Sequence, residues 1–175
     1  MSNVQAYMSR IGEWWSAARG NKLFWRGLAG AALIIVLDQA SKFWIVHGLD
    51  LPGVRKIEIS GVFDLSYVEN RGASFGMLSG MRWLLSLISI GVALALTAWL
   101  GRLTRTIAAT GVAFVIGGAL GNLYDRLAYG YVIDFLDFSG LYFPWVFNVA
   151  DMAINVGIAF LLLDAWQTRD QSGAK

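Results

Sequence analysis

Two segments of the chain place an asparagine three residues before an aspartate. They are "GGALGNLYDRL" at 117–127, with Asn122 and Asp125, and "FNVADMAIN" at 147–155, with Asn148 and Asp151. Two close carboxylates in a poorly solvated site share one proton, because both cannot ionise cheaply. Such a pair can hydrolyse an amide bond: the charged member takes a proton from the attacking water, and the neutral member protonates the carbonyl oxygen. Asp125 and Asp151 are therefore the candidate catalytic pair. A purely structural set of hydrogen bonds between acids and amides is the alternative.

A second polar set lies nearer the amino terminus, where Asp38 and Lys42 stand four residues apart. On a helix this order, acid first, favours an ion pair. Two interpretations stay open at this stage, a structural salt bridge and direct contact with a substrate. His47 is the only histidine and the chain has no cysteine. A zinc site or a thiolate site is therefore not expected, and we predict no metal and no cofactor.

The elements that position these residues must cross a membrane. Hydrophobic residues make up 57% of the chain and charged residues 15%, with a mean hydropathy of +0.55. Soluble domains carry roughly 25% charged residues, and a helix needs roughly 20 apolar residues to span the bilayer. Four segments qualify, and they predict an all-α membrane protein built as a four-helix bundle. The predicted spans are 27–47, 83–100, 106–125 and 145–166.

Four spans place both termini on the same side of the membrane. Eight basic residues lie on that side and five lie in the loops of the other side. The short turn "GRLTR" at 101–105 belongs to the more basic side, which favours a cytoplasmic position for both termini. The loops 48–82 and 126–144 then face outward. Counted at about 1.5 Å per residue, Asp38, Asp125 and Asp151 all fall in the outer half of the bilayer or at its outer surface.

Small residues accompany the two candidate catalytic positions. Gly117 and Gly121 precede Asp125 at intervals of four, and small residues at this spacing allow a second helix to approach closely. Ala150, Ala153 and Gly157 do the same around Asp151, and Asn148, Asp151 and Asn155 fall on one face of the fourth helix. Both carboxylates are therefore expected to point into packed interfaces.

The outer loops have the alternating pattern of strands. "RKIEIS" at 55–60 and "VFDLSYVE" at 62–69 alternate apolar and polar residues, and "YVIDFLDF" at 131–138 is similar. We predict a small extracytoplasmic β-sheet on the membrane surface. Asp134 and Asp137 lie in this last segment, and we expect both to be solvated loop acids.

The residues before the first span have the pattern of an amphipathic helix. Val4, Met8, Ile11 and Trp15 recur at helical spacing, which predicts a helix that lies on the membrane surface. A disordered tail is the alternative. The predicted organisation is thus an amino-terminal segment 1–26, one four-span domain 27–166 and a carboxyl-terminal tail 167–175.

Five motifs in this order resemble the lipoprotein signal peptidase family (signal peptidase II). They are "DQASK" at 38–42, "NRGASFG" at 70–76, "GGALGNLYDR" at 117–126, "VIDF" at 132–135 and "FNVAD" at 147–151. The resemblance covers about residues 30–165. It implies that Asp125 and Asp151 are the catalytic aspartates. Asp134 falls in a family motif, so the alternative to a solvated acid is that Asp134 shapes the rim of the site. The residues that the resemblance implies in substrate positioning or site support are Asp38, Lys42, Asn70, Gly72, Asn122, Arg126, Asn148 and Ala150.

The resemblance also implies a function. A member of this family is an aspartyl endopeptidase of the bacterial inner membrane. It removes the signal peptide from prolipoproteins by cutting before a cysteine that carries a diacylglyceryl group. The expected partners are these substrates and membrane lipid, with no nucleic acid, and the expected state is a monomer. The family has an outer β-cradle and a short surface helix, which fits the alternating loops.

Two other classes of function also place acids in membrane helices. A proton-coupled transporter would have inverted repeats and acids near the midplane, whereas this chain has no internal repeat and its acids share one surface. A metal-dependent lipid phosphotransferase would use carboxylates to hold Mg²⁺ and would need more acidic and basic residues than this site offers. Metal chelation distinguishes that phosphotransferase from an aspartyl peptidase.

Overall fold

The computed structural model describes residues 3–72, 80–143 and 145–173 of the 175-residue chain. The helices are α1 (Asn3–Gly20), α2 (Lys22–Phe43), the four-residue α3 (Leu51–Val54), α4 (Arg82–Leu100), α5 (Thr106–Ala128) and α6 (Val149–Gly173). One π-helical turn, Trp44–Gly48, extends α2. Within the described ranges, four helices are long and apolar enough to cross a membrane. The predicted bundle of four spans is therefore confirmed.

Helix α5 is the centre of the bundle, because it packs against α2, α4 and α6. Its glycines permit this. A Cβ at Gly117 would lie 2.7 Å from the Cβ of Ile34 on α2, and one at Gly118 would collide with the carbonyl oxygen of Ala150 on α6. Gly111 and Gly157 face each other in the same α5–α6 interface. The predicted role of the small residues in close packing is confirmed.

A four-stranded antiparallel sheet combines both loops that connect the spans on one side. The strands are β1 (Lys56–Glu58), β2 (Asp64–Asn70), β3 (Val132–Asp137) and β4 (Val146–Phe147), in the order β1-β2-β3-β4. The sheet packs its apolar residues against the end of α2 and against α3, in a cluster formed by Ile45, Leu51, Leu65, Ile133 and Phe135. The predicted small sheet is confirmed, and it covers one end of the bundle.

The amino-terminal segment is the helix α1, so the alternative of a disordered tail is wrong. The ring nitrogen of Trp14 donates to the carbonyl oxygen of Ala98 at 2.9 Å, in the last turn of α4. Ala18 is fully buried in a cluster with Phe24 and Leu100. Asn21 then caps α2, because its Oδ1 accepts the backbone N–H of Leu23. The carboxyl-terminal half of α1 is therefore fixed to the end of the bundle opposite the sheet.

The last span begins later than its hydropathy predicts. The apolar residues Val146 and Phe147 extend the predicted span to residue 145, yet they form β4 and pair with Leu136 and Asp137. Helix α6 starts only at Val149 and continues to Gly173. The difference matters for the site, because it moves Asn148 from a helix face to the position before the first turn.

Candidate active site

Polar side chains from three spans and one strand meet where the sheet covers the bundle. The strand β3 follows α5 after a short turn, and β4 leads directly into α6, so the sheet brings the ends of these two spans together. The residues that meet there are Asp38 and Lys42 of α2, Asn122 and Asp125 of α5, Asp134 of β3, and Asn148 and Asp151 at the start of α6.

Lys42 lies between two buried carboxylates. Its Nζ is 2.8 Å from Oδ2 of Asp38 and 2.8 Å from Oδ2 of Asp125. The other oxygen of Asp38 accepts the backbone N–H of Ala150 at 2.9 Å. The predicted pairing of Asp38 with Lys42 is confirmed. The pair joins α2 to α5 and α6 inside the protein, which supports the structural interpretation over direct substrate contact.

Both oxygens of Asp125 are occupied by donors from this chain. Oδ1 accepts from Nε2 of Gln39 at 2.9 Å. Oδ2 accepts the backbone N–H of Ile133 at 3.1 Å in addition to the ion pair with Lys42. The residue is fully buried. A carboxylate held in this way anchors β3 to α2 and α5.

Asn148 caps helix α6 and organises its first turn. Its Oδ1 accepts the backbone N–H of Asp151 at 2.8 Å, which is the bond expected of an asparagine before the first helical residue. The sequence placed Asn148, Asp151 and Asn155 on one helix face. That expectation is wrong, because Asn148 precedes the helix and Asn155 is exposed.

Asp151 is half-buried and has one oxygen in a side-chain hydrogen bond. Its Oδ1 accepts from Nδ2 of Asn122 at 2.7 Å. The Oδ1 of Asn122 in turn accepts from Nδ2 of Asn148 at 3.0 Å. The two asparagines that the sequence pattern picked out thus position Asp151 together, one through its side chain and one through its backbone.

Asp134 is the acid that the sequence misjudged. Its exposed fraction is 2%, and its two oxygens accept from Nδ2 of Asn70 at 2.9 Å and from Nδ2 of Asn148 at 2.6 Å. Burial raises the pKa of Asp134 to about 7, and the negative charge of Asp151 adds to the rise. The hydrogen bonds from the two asparagines oppose it. The expectation of a solvated loop acid is wrong.

Asp137, three residues further along β3, is also buried, which overturns the same expectation for it. The two acids nevertheless differ. Burial favours the neutral form of Asp137, but hydrogen bonds from Ser66 and from Ser139 outweigh burial and lower its pKa. Its Oδ2 accepts from the hydroxyl of Ser66 at 2.6 Å. Asp137 is therefore a member of the sheet's own hydrogen-bond network, away from Asp151.

Asn148 connects Asp134 to Asp151. Its amide nitrogen donates to Oδ1 of Asp134, and its amide oxygen accepts from the backbone of Asp151. Between Asp125 and Asp151, by contrast, the connection runs through Lys42 and Asn122. The geometry therefore offers two pairings for Asp151, one with Asp125 and one with Asp134. The pKa of Asp134 lies near neutrality.

The remaining predicted residues lie beside this cluster. Oδ1 of Asn70 accepts the backbone N–H of Gly72 at 3.0 Å. The guanidinium of Arg126 donates to the carbonyl oxygens of Gly72 at 3.2 Å and Asn122 at 3.4 Å. These bonds fix the end of β2 to the end of α5. The rest of the motif "NRGASFG", residues 73–76, lies outside the described residues.

Gln39 has no predicted role, although it lies in the motif "DQASK". Its Nε2 lies 3.0 Å from Oδ2 of Asp38 and 2.9 Å from Oδ1 of Asp125, so it crosses the α2–α5 interface. An amide beside the charged residues Asp38 and Lys42, in a span whose other residues are mostly apolar, is the signal that could have identified it. For Asp134 the signal is an acid among the apolar residues of the segment "VIDFLD". The structure shows that this strand is buried on both faces.

Groups of three or more histidine, cysteine or acidic side chains that could hold a metal ion are absent from the described part of the chain. The acids are instead separated by amides and by the ammonium group of Lys42. Such a set can share and move a proton between carboxyl groups.

Comparison with known proteins identifies the family. The sequence model described as signal peptidase (SPase) II matches residues 30–167. The chain belongs to the signal peptidase II family. The lipoprotein signal peptidase of Caulobacter vibrioides is 47% identical over 150 residues, which cover 83% of this chain and 89% of the relative. That of Beijerinckia indica is 41% identical over 152 residues, covering 84% and 90%.

Two solved structures of bacterial membrane enzymes, determined by the in meso method, share the fold of this signal peptidase II chain. One, at 2.3 Å resolution, aligns with a TM-score of 0.75 at 25% identity and covers 86% of this chain and 92% of its own. The other, at 1.9 Å, aligns with a TM-score of 0.69 at 26% identity and covers 80% and 92%. The signal peptidase II match begins at residue 30, so helix α1 lies outside it.

Proposed function

We propose that this chain removes the signal peptide from diacylglyceryl-modified prolipoproteins by cutting before the lipidated cysteine. The support is its membership of the signal peptidase II family together with the position of the carboxyl groups. They lie at the end of the membrane helices, under the sheet. A lipid-anchored peptide would hold its scissile bond there if this end faces the outer leaflet. Such a peptidase would reside in the bacterial inner membrane with both termini in the cytoplasm, and would act as a monomer.

The proposed chemistry is that of a paired aspartyl peptidase. One carboxylate takes a proton from a water molecule as the oxygen attacks the peptide carbonyl, and the neutral partner donates a hydrogen bond and then its proton to the carbonyl oxygen. When the tetrahedral intermediate collapses, the C–N bond breaks and the leaving amine takes the proton that the first carboxylate removed from water. The second carboxylate recovers its own proton from a hydroxyl of the intermediate, which restores the pair. No metal takes part in this scheme.

The observation that carries the choice of residues is the bridge by Asn148 between Asp134 and Asp151. We propose this pair as the catalytic one. Asp134 has a pKa near neutrality, so it can hold the shared proton while Asp151, which is partly open, faces water. The sequence-based pairing of Asp125 with Asp151 stays a prediction. The ion pair with Lys42 favours a positioning role for Asp125, together with Asp38 and Gln39. The two donors to Asp134 are neutral amides instead.

Four matched substitutions test this assignment. Purified Asp134→Asn, Asp151→Asn, Asp125→Asn and Asp137→Asn variants are incubated with a diacylglyceryl-modified prolipoprotein, with and without EDTA. Loss of one member of an acid–base pair should slow cleavage by about 10²- to 10⁴-fold. We expect this loss for Asp134→Asn and Asp151→Asn alone, with no effect of EDTA. Asp137→Asn is the control, because it alters an equally buried acid on the same strand.

The result is read only on protein that elutes as a single folded species. If Asp125→Asn is folded and inactive while Asp134→Asn cleaves normally, the pairing predicted from the sequence is correct and ours is wrong. Normal cleavage by all the variants would exclude the aspartyl mechanism. Inhibition by EDTA would favour the metal-dependent alternative. A substrate that lacks the diacylglyceryl group should be cleaved far more slowly.

A further inference from the structure

Helix α1 has an apolar stripe, and only its carboxyl-terminal half packs against the rest of the protein. Tyr7, Ile11, Trp14 and Ala18 recur at intervals of four, three and four residues and so share one face. Trp14 and Ala18 pack against the ends of α2 and α4. Val4, Tyr7, Met8 and Ile11, further toward the amino terminus, are between 45% and 71% exposed.

The docked half of α1 fixes which way the exposed half faces. A helix is rigid over this length, so the direction in which Trp14 and Ala18 enter the bundle is also the direction of Ile11 and Tyr7. Val4 lies ten residues before Trp14, about 15 Å further along the axis at the usual rise. The exposed part of the stripe therefore extends beyond the contact with the bundle and faces the same side as the membrane helices.

The surface next to this stripe is the lipid-facing surface of the spans. Trp25, Leu33, Val36 and Leu37 of α2 are all more than 49% exposed, as expected for side chains in contact with lipid. Trp25 lies at the corner between the two helices, where its ring nitrogen donates to the carbonyl oxygen of Arg19 at 3.2 Å. Tryptophan at such a position is typical of the boundary between hydrocarbon and headgroups. The membrane domain thus has exposed apolar side chains, and an interfacial tryptophan, on the helix to which α1 is connected.

The charges around the stripe are mostly positive. Arg10 and Arg19 of α1 and Lys22 and Arg26 of α2 are exposed, and Glu13 is the only acid among the first 37 residues. The described ion pairs of the protein engage none of these four basic groups. Basic residues beside an apolar helix face favour a membrane surface with anionic headgroups.

We propose that α1 binds the surface of an anionic lipid leaflet, on the side of the two chain termini. Val4, Tyr7, Met8 and Ile11 enter the boundary between headgroups and acyl chains, while Arg10, Arg19, Lys22 and Arg26 contact lipid phosphates. This site is separate from the carboxylate cluster, which lies under the sheet at the opposite end of the bundle. The segment also lies outside the matched region of the family, so its lipid binding is a property of this chain beyond peptide cleavage.

The absence of cysteine from the sequence allows a direct test on the full chain. A polarity-sensitive fluorophore is attached to Met8→Cys or to Ala17→Cys, and the protein is placed in lipid nanodiscs, which expose both faces. The two positions are nine residues apart and so lie on opposite sides of the helix, and both are exposed. Discs of phosphatidylcholine alone are compared with discs that contain phosphatidylcholine and phosphatidylglycerol.

We expect the label at position 8 to shift to shorter emission wavelength and to be quenched by lipid-attached nitroxide. The label at position 17 should be quenched by aqueous iodide. Phosphatidylglycerol should strengthen the lipid quenching at position 8. Combining Arg10→Gln with Arg19→Gln should weaken the lipid-bound state about five-fold for each residue. The control Arg55→Gln with Arg82→Gln removes the same charge from the opposite end and should change nothing.

Equal access of iodide to both labels in anionic discs would overturn the proposal. So would shielding of position 8 that depends on protein concentration instead of lipid composition, because a second copy would then cover the stripe. Peptide cleavage in detergent by the Arg10→Gln/Arg19→Gln variant should equal that of the unsubstituted protein. The lipid test is therefore independent of the assignment of the catalytic pair.

Discussion

At the scale of single residues, the proton on Asp134 should govern the pH dependence of cleavage. Burial and the charge of Asp151 raise the pKa of Asp134 to about 7, so the carboxyl is mostly protonated below that pH and mostly ionised above it. The proposed mechanism needs one proton in the pair. We therefore expect kcat to fall about tenfold per pH unit above pH 7. A pH–rate profile with the lipidated substrate measures it.

A substitution of Asn70 should shift the pKa of Asp134 in a predictable direction and so tests this assignment. Its amide hydrogen bond favours the ionised form of Asp134 and lowers its pKa, so the Asn70→Ala variant should have its alkaline limb at higher pH. The Asp137→Asn variant should keep the limb near pH 7. A limb that does not move in Asn70→Ala, or a profile flat above pH 7, would contradict the assignment of the proton to Asp134.

The loss of stability on substitution in the cluster around Lys42 should depend on which charged side chain is removed. Asp38 and Asp125 share one ammonium group at 2.8 Å each, and all three side chains are buried. Lys42→Met leaves two carboxylates without a cation and should cost about 3–5 kcal/mol. Asp125→Asn leaves the matched pair of Asp38 and Lys42 and should cost clearly less. Thermal unfolding of both purified variants compares the two, and an equal loss would show that Asp125 is not balanced by Lys42.

The sequence predicted much of this cluster but not its pairing. Asp38 and Lys42 follow from helical spacing, and the two asparagine–aspartate patterns locate Asn122, Asp125, Asn148 and Asp151. Asp134 was misjudged because its partners, Asn70 and Val68 of β2 and Asn148 before α6, are distant from it in the chain. The hydrogen bond from Ile133 to Asp125 is likewise a product of the fold.

At the scale of helices and strands, the α5–α6 interface should not tolerate a methyl group. A Cβ at Gly118 would collide with the backbone carbonyl of Ala150, and backbone cannot move aside as a side chain can. Gly118→Ala should therefore destabilise the protein by about 1–3 kcal/mol. Gly91→Ala on α4 is the matched control, because no atom lies within 4 Å of its added Cβ.

The control Gly91→Ala should leave the stability unchanged or raise it by up to about 1 kcal/mol, because alanine has a higher helix propensity than glycine. Thermal unfolding of the two variants under the same conditions gives the comparison. A Gly118→Ala variant as stable as Gly91→Ala would mean that α5 and α6 are further apart than described. Reduced cleavage is expected with Gly118→Ala, because α6 carries Asp151 and α5 carries Asn122.

Hydropathy located the four spans because each needs a long apolar segment, but it could not fix their ends. The start of α6 depends on whether Val146 and Phe147 join a helix or a strand, and their partner β3 decides that. The alternating pattern predicted strands in both loops. It could not predict that β2 pairs with β3 across the two loops, with an irregularity between Leu65 and Val68.

At the scale of the whole molecule, the two ends of the bundle differ in the residues and elements that they contain. The sheet end carries the carboxyl groups, and the other end carries α1 and the turn between α4 and α5. Arg105 holds that second end together through Asp164 of α6, with its Nε 2.7 Å from Oδ1. A peptide anchored by lipid in the outer leaflet would reach the carboxyl groups only if the sheet end faces outward, so the orientation of the chain is essential to the proposed function.

That orientation can be measured because the protein has no cysteine. Glu58 on β1 and Thr104 in the α4–α5 turn are both exposed and lie at opposite ends of the bundle. The excess of basic residues at the end with α1 predicts that this end is cytoplasmic. In intact cells whose outer membrane is made permeable, an impermeant maleimide should therefore label Glu58→Cys. Thr104→Cys should react only after the inner membrane is disrupted. The opposite labelling pattern would place the carboxyl groups on the cytoplasmic side, where a translocated prolipoprotein could not meet them.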